Sequence, residues 1–226
     1  MVIKCKICES ETSLIHHLKF GDYYWCKKCE FISKDEKFIL SPEEEHKVYN
    51  NHNNSIEDPK YVEFFYQFLD DAVFKYIDDG REGFDFGSGP SPVLAQILER
   101  YHDYKMDIYD QFYAKKKPFI GKKYDLVTST EVVEHLANPI PYFRLFVNLM
   151  KDDAILAVMT LFHPNNEEDF LDWYYIRDYT HISFYTPNTF KTIAEKIGLK
   201  VIYTNNRRYI TLVKDKDFKL KDRNIQ

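Results

Sequence analysis

Short apolar segments alternate with amphipathic stretches from residue 83 onward. Apolar runs bounded by polar turns are typical of buried strands. The pattern predicts six strands, over residues 83–86, 105–109, 124–129, 154–160, 199–204 and 209–213. Because a short polar turn is all that separates the last two strands, we expect them to form an antiparallel hairpin.

Helical spacing of apolar residues marks the stretches between these strands. It predicts helices over residues 92–101, 139–149 and 187–196, preceded by a longer helix over 61–77. Ser41 and Pro42, followed by three Glu residues, are typical of a helix start. The alternation of strands and helices predicts an α/β fold with a mostly parallel sheet, a terminal antiparallel hairpin and helices on both faces.

The N-terminal residues carry a different signal, because they contain all four cysteines. These form two C-x-x-C pairs separated by 17 residues: Cys5, Cys8, Cys26 and Cys29. The spacing is typical of a four-thiolate zinc site, which leaves no coordination position open for water. We therefore predict a structural zinc knuckle over residues 1–40 and an α/β domain over 41–226. Two disulfides are the alternative, disfavoured by the lack of a secretory signal.

Composition and charge restrict the partners that we expect. Hydrophobic residues make up 44% of the 226 residues, enough for a substantial core. A net charge of −5 disfavours a protein that holds a nucleic-acid backbone. The longest apolar stretch, residues 154–162, is far shorter than the roughly 18 residues of a membrane helix. We expect a cytoplasmic protein without a membrane span, since MVIKCKICES contains no secretory signal.

A glycine-rich turn follows the first predicted strand, in the segment FDFGSGPSP. Gly87, Ser88 and Gly89 have little side-chain bulk, so the backbone can approach a ligand at the carboxyl end of the strand. Asp85 would repel a pyrophosphate and suits a cationic ligand, such as the ammonium and sulfonium groups of S-adenosylmethionine. Asp110, at the end of the second strand, can accept hydrogen bonds from both ribose hydroxyls.

On these motifs the chain resembles the class I S-adenosylmethionine-dependent methyltransferases, in particular the broad group related to ubiquinone-biosynthesis methylases. The resemblance runs from Tyr49 to Leu199, through FDFGSGPSPVLAQIL, YDQFY, YDLVTSTEVVEHLANP and WYYIRDYTHISFYTPNTF. It implies a Rossmann-like sheet of seven strands. It also implies that the cofactor is held by the glycine turn and the two acids: Asp85, Gly87, Ser88, Gly89 and Asp110.

The chain departs from that group after the second strand. Only 13 residues separate Asp110 from Tyr124, too few for the usual helix and third strand. The resemblance therefore does not assign the adenine contact. The nearest candidates follow the second and third predicted strands: Gln111, Phe112, Ser129 and Thr130.

An E-x-x-E-H motif, formed by Glu131, Glu134 and His135, follows the strand over 124–129. If a helix starts there, the three side chains share one face at the carboxyl edge of the sheet. Together with His181 they can bind a divalent metal that acidifies a substrate hydroxyl, as a similar motif does in small-RNA terminal ribose methyltransferases. Alternatively, Glu131 contacts the cofactor, Glu134 begins the helix and one histidine is a general base. A purely structural His135 is the third interpretation.

Aromatic residues crowd the segment around Arg177 and His181. They predict a substrate lid in which Arg177 meets a carboxylate or phosphate: Trp173, Tyr174, Tyr175, Tyr179, Phe184 and Tyr185. A connecting segment packed on the sheet is the alternative. His52, in an Asn-rich stretch, is a further candidate for the same pocket.

These features together predict methyl transfer from S-adenosylmethionine to a small-molecule acceptor, most readily an oxygen. Glu134, His135 and His181 are the candidate catalytic residues. Three further residues extend the cofactor set: Gln111, Thr130 and Glu131. Two rival interpretations stay open, an RNA methyltransferase guided by the zinc knuckle and a non-catalytic adenosylmethionine-binding interaction protein.

Overall fold

The computed structural model describes residues 3–50 and 55–217. Its N-terminal part contains three short strands and two helices: β1 (Ser13–His17), β2 (Gly21–Trp25), β3 (Ile32–Lys34), α1 (Pro42–Tyr49) and α2 (Pro59–Ala72). His52, which the sequence suggested for the pocket, lies outside the described residues.

The larger part of the chain alternates strands with helices. Its strands are β4 (Glu82–Phe86), β5 (Lys105–Tyr109), β6 (Tyr124–Thr130), β7 (Met150–Met159), β8 (Ser183–Phe184), β9 (Leu199–Thr204) and β10 (Tyr209–Lys214). Its helices are α3 (Val93–Tyr101), α4 (Pro139–Leu149), α5 (Glu167–Asp172) and α6 (Pro187–Ile197). All six predicted strands are present. None of the described helices combines the length and apolarity needed to cross a membrane.

Six strands form one mixed sheet in the order β5-β4-β6-β7-β10-β9. Strands β5, β4, β6 and β7 are parallel, whereas β10 pairs antiparallel with both β7 and β9. The Rossmann-like sheet and its terminal hairpin are thus confirmed. Residues 111–123, all described, contain no strand. This sheet therefore lacks the seventh strand that the resemblance implies, as the short spacing predicts.

Both faces of this sheet are covered, because its central strands contribute to two buried clusters. In β7, Leu156 and Val158 pack into one cluster with α4 and α6. Ile155, Ala157 and Met159 of the same strand pack into the other cluster, with α2 and α3. Successive side chains of a strand point to opposite faces, so a strand buried on both sides is apolar throughout.

Local hydrogen bonds determine where the helices begin and end. Capping boxes at Ser41 and Thr186 start α1 and α6, and α6 ends at Gly198, whose φ of 84° favours glycine. The helix predicted over 61–77 is shorter at its C-terminal end. It stops because two successive N–H groups, of residues 73 and 74, both donate to the Leu69 carbonyl.

The N-terminal sheet continues into the larger part of the molecule. Its order is β1-β2-β3-β8, so its last strand comes from the segment between α5 and α6. Cys29 and Phe31 belong to the same buried cluster as Tyr185. Residues on both sides of position 40 therefore share one sheet and one core.

Candidate active site at the carboxyl edge of the sheet

The turn after β4 has a backbone geometry that glycine adopts readily. Gly87 has a φ of 82° and Gly89 a φ of 65°. A Cβ at Gly87 would lie 2.3 Å from a methyl carbon of Val132, whereas a Cβ at Gly89 would meet no atom within 4 Å. Packing inside the molecule thus requires Gly87. Gly89 faces open space, from which a ligand can approach the backbone.

Asp110 ties this turn to the end of β5. One carboxylate oxygen accepts a hydrogen bond from the Gly89 N–H at 3.0 Å. The other accepts from the N–H groups of Phe112 and Tyr113 at 2.8 and 3.0 Å. Three backbone donors therefore orient the carboxylate in advance. Its oxygens keep lone pairs for further donors, so the predicted role towards ligand hydroxyls is compatible with this geometry.

Asp85 is buried near the end of β4 and accepts a hydrogen bond from the Thr128 hydroxyl at 2.7 Å. Burial raises the pKa of Asp85 to about 6; the Thr128 hydrogen bond opposes this shift and the charge of Asp110 adds to it. The Ser88 Oγ atom is buried and has no hydrogen-bond partner among the described residues. A cationic, hydrogen-bonding ligand would compensate both groups.

The residues after β5 pack against α1. Phe112 stacks on the His46 ring, with centroids 4.8 Å apart and an interplanar angle of 3°. The Tyr113 hydroxyl donates a hydrogen bond to Oδ1 of Asn50 at 2.8 Å. Gln111 is exposed. A helix from the N-terminal segment thus lies against the loop that replaces the usual helix and third strand.

The E-x-x-E-H segment does not form the helix that its spacing suggested. Thr130 ends β6, Glu131 has a φ of 53°, and a single 3-10 turn follows at Val133–His135. The helix on which the shared face depended does not form, because the Glu131 N–H donates to the Met159 carbonyl at 2.8 Å, which directs the chain across the sheet edge. Left-handed backbone at a residue other than glycine is strained, and such strain is concentrated at functional sites.

The two glutamates nevertheless converge on the Tyr175 hydroxyl. It donates to Oε1 of Glu134 at 2.5 Å and lies 3.3 Å from Oε2 of Glu131. The second oxygen of each carboxyl is buried without a hydrogen-bond partner among the described residues. Burial raises the pKa of both carboxyls, and the charge of Glu134 raises that of Glu131 further. The pair therefore favours a bound proton or a cation close by.

Two histidines complete the cluster, and backbone carbonyls orient both rings. Nδ1 of His135 lies 2.9 Å from the Thr180 carbonyl oxygen, and Nδ1 of His181 lies 2.8 Å from that of Tyr175. Carbonyls only accept, so in each neutral ring Nδ1 carries the proton and Nε2 the lone pair. Ligand atoms of Glu134, His135 and His181 lie within 4.8 Å of one another and could hold a metal ion. The other glutamate of the motif does not belong to that group.

Asp178, which no sequence motif marks, lies beside His181. Its carboxylate accepts from the N–H and hydroxyl groups of Thr180 at 2.9 and 2.6 Å. Its Oδ2 lies 3.8 Å from Nε2 of His181. Burial lowers the pKa of His181 to about 4, the charge of His135 lowers it further, and Asp178 opposes both. His181 is thus neutral at pH 7 and can accept a proton at Nε2.

The aromatic segment is divided between the site and the core. Tyr175 reaches the two glutamates. Phe184 and Tyr185 are fully buried against other aromatic rings, so assigning them to a lid is wrong. They turn inward because β8 pairs with β3. Arg177 lies exposed in the short turn Tyr174–Arg177.

A family model described as a methyltransferase domain matches residues 60–204. The match spans the glycine turn, the acid at the end of β5 and the E-x-x-E-H segment. The chain belongs to this methyltransferase family. No match is found among curated proteins.

The methyltransferase shares its fold with solved structures of low sequence identity. The mitomycin 7-O-methyltransferase MmcR is 14% identical, with a TM-score of 0.51 over 75% of this chain and 60% of that one. LaPhzM is also 14% identical, with a TM-score of 0.50 over 76% of this chain and 59% of that one. The chain thus spans less than two thirds of either protein, and the likeness shows the fold.

S-adenosylmethionine, the methyl donor implied by this family, fits the ends of β4 and β5. The open space beside Gly89 admits a ligand to the backbone, and the Asp110 carboxylate is already oriented for hydroxyl donors. The buried Asp85 favours a positive charge nearby.

The four cysteines of the methyltransferase form a separate cluster. All four are free thiols, so the disulfide alternative is not realised. Their Sγ atoms lie within 4.8 Å of one another; Cys5 and Cys29 are 3.5 Å apart, and Cys8 and Cys26 are 3.4 Å apart. Tetrahedral zinc with Zn–S bonds of about 2.3 Å places its sulfurs roughly 3.8 Å apart. These thiols could therefore hold zinc with small adjustments.

The fold also brings Tyr61 of α2 to the site. Burial, followed by the charges of Asp85 and Glu131, raises the pKa of its phenol to about 12. Helical spacing predicts Tyr61 as a core position, and no local pattern distinguishes it from its neighbours. Only the position of α2 across the sheet edge shows that Tyr61 belongs to the site.

Proposed function

We propose that this protein is an S-adenosylmethionine-dependent O-methyltransferase acting on a small-molecule acceptor. Asp110 accepts hydrogen bonds from the ribose hydroxyls, while Asp85 and Glu131 face the cationic groups of the cofactor. The accessible Gly89 backbone, held by Asp110, supports this placement. The residues proposed to bind the cofactor lie at or directly after the carboxyl ends of β4, β5 and β6: Asp85, Gly87, Ser88, Gly89, Asp110, Gln111, Thr130 and Glu131.

His181 is the proposed general base. Its Nε2 accepts the proton of the acceptor hydroxyl while the oxygen attacks the methyl carbon, so that a carbon–oxygen bond forms and the carbon–sulfur bond breaks. The observation that carries this role is the hydrogen bond from Nδ1 to the Tyr175 carbonyl, which leaves the lone pair at Nε2. Asp178 stabilises the imidazolium that results.

Glu134 and His135 support the base. Glu134 binds the Tyr175 hydroxyl, and the Tyr175 carbonyl orients His181, so Glu134 acts on the base through one residue. The ring of His135 packs 4.9 Å from that of His181. The charge of His135 lowers the pKa of His181, which keeps His181 unprotonated at pH 7 but also makes it a weaker base.

Two considerations favour an oxygen acceptor of low molecular weight. A hydroxyl nucleophile gains from a base, and the site contains a neutral histidine beside buried carboxyls. MmcR, which shares the fold, is by its name an O-methyltransferase of mitomycin. The net charge of −5 disfavours RNA as the substrate.

Calorimetry and a methyl-transfer assay test the two parts of this proposal. We expect the wild type and His181→Gln to bind S-adenosylhomocysteine equally well. Transfer to a panel of phenols and alcohols should be about 10²- to 10⁴-fold slower in His181→Gln. The exposed His16→Gln is the matched control. No heat with S-adenosylhomocysteine would refute the cofactor site. Undiminished methyl transfer by His181→Gln would refute the assignment of His181 as the general base.

A divalent metal held by Glu134, His135 and His181 is a second candidate mechanism. It is favoured by two observations: a carboxylate oxygen of Glu134 lies within 4.8 Å of ligand atoms on both histidines, and Oε2 of Glu134 is buried without a hydrogen-bond partner among the described residues. There the residues would hold an ion that orients and acidifies the acceptor hydroxyl, with Glu131 joined to them through Tyr175. Magnesium titration of the wild type and Glu134→Gln separates the mechanisms. A metal site gives a magnesium response that the variant loses, and a histidine base gives none.

The cysteine cluster supports a structural zinc site in a module over residues 1–40, packed on a methyltransferase domain over 41–226. Its ligands are Cys5, Cys8, Cys26 and Cys29. Thiolate sites persist in reducing compartments, which favours a cytoplasmic location. Salt-sensitive RNA binding would revive the knuckle-guided RNA methyltransferase. Cofactor binding without turnover on any cell extract would favour the non-catalytic interaction protein.

A further inference from the structure

Arg208 lies in the turn directly before β10, and one side chain holds the backbone of this turn in place. Oδ1 of Asn205 accepts hydrogen bonds from the N–H groups of residues 207, 208 and 209, at 3.0, 2.8 and 2.9 Å. The Arg208 carbonyl accepts a hydrogen bond from the Thr160 N–H at 3.0 Å. Arg208 is therefore anchored at the same sheet edge as the E-x-x-E-H cluster.

The Arg208 side chain is half-buried and forms no ion pair within 4.0 Å with a carboxylate of the described residues. Its Cζ lies 5.3 Å from the centroid of the Phe64 ring, on α2. Its Nε atom is itself buried and lacks a hydrogen-bond partner in the described part of the chain. Arginine keeps its charge at neutral pH, so a half-buried guanidinium whose Nε has no hydrogen-bond partner among the described residues can bind an anion.

The sheet order places Arg208 on the side of the cluster away from the cofactor. Gly89 and Asp110 follow the ends of β4 and β5, whereas Arg208 directly precedes β10, three strands from β4. At about 4.8 Å per strand this corresponds to roughly 14 Å. Glu131, at the end of β6, lies between them and is close enough for Arg208 to lower its pKa. A ligand that extends from the glutamates to Arg208 thus occupies the acceptor side.

We propose that Arg208 binds a carboxylate of the methyl acceptor, which makes the substrate class hydroxylated carboxylic acids. The inference rests on the proposed function, since it requires a methyl-accepting hydroxyl beside His181. The planar guanidinium can bind both oxygens of a carboxylate, and Phe64 supports it from one face. Arg177, which the sequence suggests for this role, is exposed and has no comparable position.

Arg208→Gln tests this role, with Arg207→Gln as the matched control, because residue 207 carries the same charge but is exposed. The protein is saturated with S-adenosylhomocysteine and titrated with 4-hydroxybenzoate, 4-hydroxyphenylacetate and 4-hydroxycinnamate, and with phenol as the neutral probe. We expect at least one acid to bind the wild type and Arg207→Gln equally, and Arg208→Gln about ten- to hundredfold more weakly. Phenol binding should not change.

Three results would overturn the assignment. One is that none of the acids binds the wild type, and another is that the acids bind Arg208→Gln as tightly as the wild type. The third is that Arg208→Gln weakens S-adenosylhomocysteine but not 5′-methylthioadenosine, which lacks the amino-acid group; the carboxylate would then be the cofactor's. A wild type that does not bind S-adenosylhomocysteine would refute the proposed function instead.

Discussion

Individual residues of the site share one property: each has a wholly or partly buried ionisable group that forms no ion pair within 4.0 Å among the described residues. Burial raises the pKa of Asp85, Glu131 and Glu134, and Arg208 has a buried Nε without a hydrogen-bond partner among the described residues. Each of these groups costs folding free energy that a bound ligand can offset. Conversely, removing such a charge should stabilise the ligand-free protein and weaken ligand binding.

The stability that Asp85→Asn gains over the wild type should depend on pH. The pKa of Asp85 is about 6 in the folded protein, against an ordinary value of 3.8. Its contribution to stability is therefore fully present below about pH 4 and is lost as the pH rises through about 6. The shift corresponds to about 3 kcal/mol. We expect Asp85→Asn to be more stable than the wild type at pH 7, with little difference at pH 4.

Urea unfolding of the ligand-free protein at several pH values between 4 and 7 measures this difference. Asp103→Asn is the matched control, because Asp103 is exposed and asparagine tolerates its φ of 57°. Asp85→Asn should also bind S-adenosylmethionine more weakly than the wild type. A stability difference independent of pH would show that Asp85 does not titrate as described.

At the scale of elements, the site is formed by loops that follow parallel strands. The turn after β4, the loop after β5 and the segment after β6 meet because the carboxyl ends of parallel strands lie at one edge of the sheet. Different constraints act on the two glycines of the first turn. Gly87 is pressed against Val132, whereas Gly89 has open space before it.

Alanine substitutions at these glycines should therefore separate stability from binding. Gly87→Ala pushes Val132 aside and should lower the free energy of unfolding by about 1–3 kcal/mol. Gly89→Ala introduces backbone strain of about 1 kcal/mol and places a methyl group where the ligand approaches. We expect Gly89→Ala to lose S-adenosylhomocysteine affinity while remaining folded. Chemical denaturation and calorimetry measure the two effects; equal affinity of Gly89→Ala and wild type would argue against close backbone contact.

Across the whole molecule, the cysteine-rich segment and the methyltransferase domain are packed as one body. The Thr189 hydroxyl donates to the Cys29 carbonyl at 2.9 Å, and Nζ of Lys196 donates to the Ile7 carbonyl at 2.8 Å. One ring nitrogen of the buried His163 lies 2.7 Å from the Glu30 carbonyl oxygen. Both sides also share β8 and the cluster around Phe31.

A zinc ion bound at the cysteine cluster, as proposed, should therefore stabilise the entire protein. We expect chelation, or Cys26→Ser, to lower the midpoint of a single thermal transition by about 10 °C, taking the lost contacts as about 3 kcal/mol. Scanning calorimetry measures the transition. A fragment over residues 41–226 that folds and binds S-adenosylhomocysteine as tightly as the full chain would contradict this coupling.

Local sequence was sufficient for features that depend on neighbouring residues. Apolar patterning identified every strand of the large sheet, most directly the central strands, because a strand buried on two faces is apolar throughout. The short spacing after Asp110 excluded the usual third strand. The glycine turn and the paired cysteines were recognisable because each depends on residues a few positions apart.

Tertiary structure decided which side chains face one another. It placed a left-handed residue, hydrogen-bonded to β7, at Glu131, where the sequence allows a helix, and it brought Tyr175 to both glutamates across more than 40 positions of the chain. It turned Tyr185 into the core and placed Arg208 at the site edge. Such contacts join residues far apart in the chain, and their geometry depends on strand order and helix placement, which no local pattern encodes.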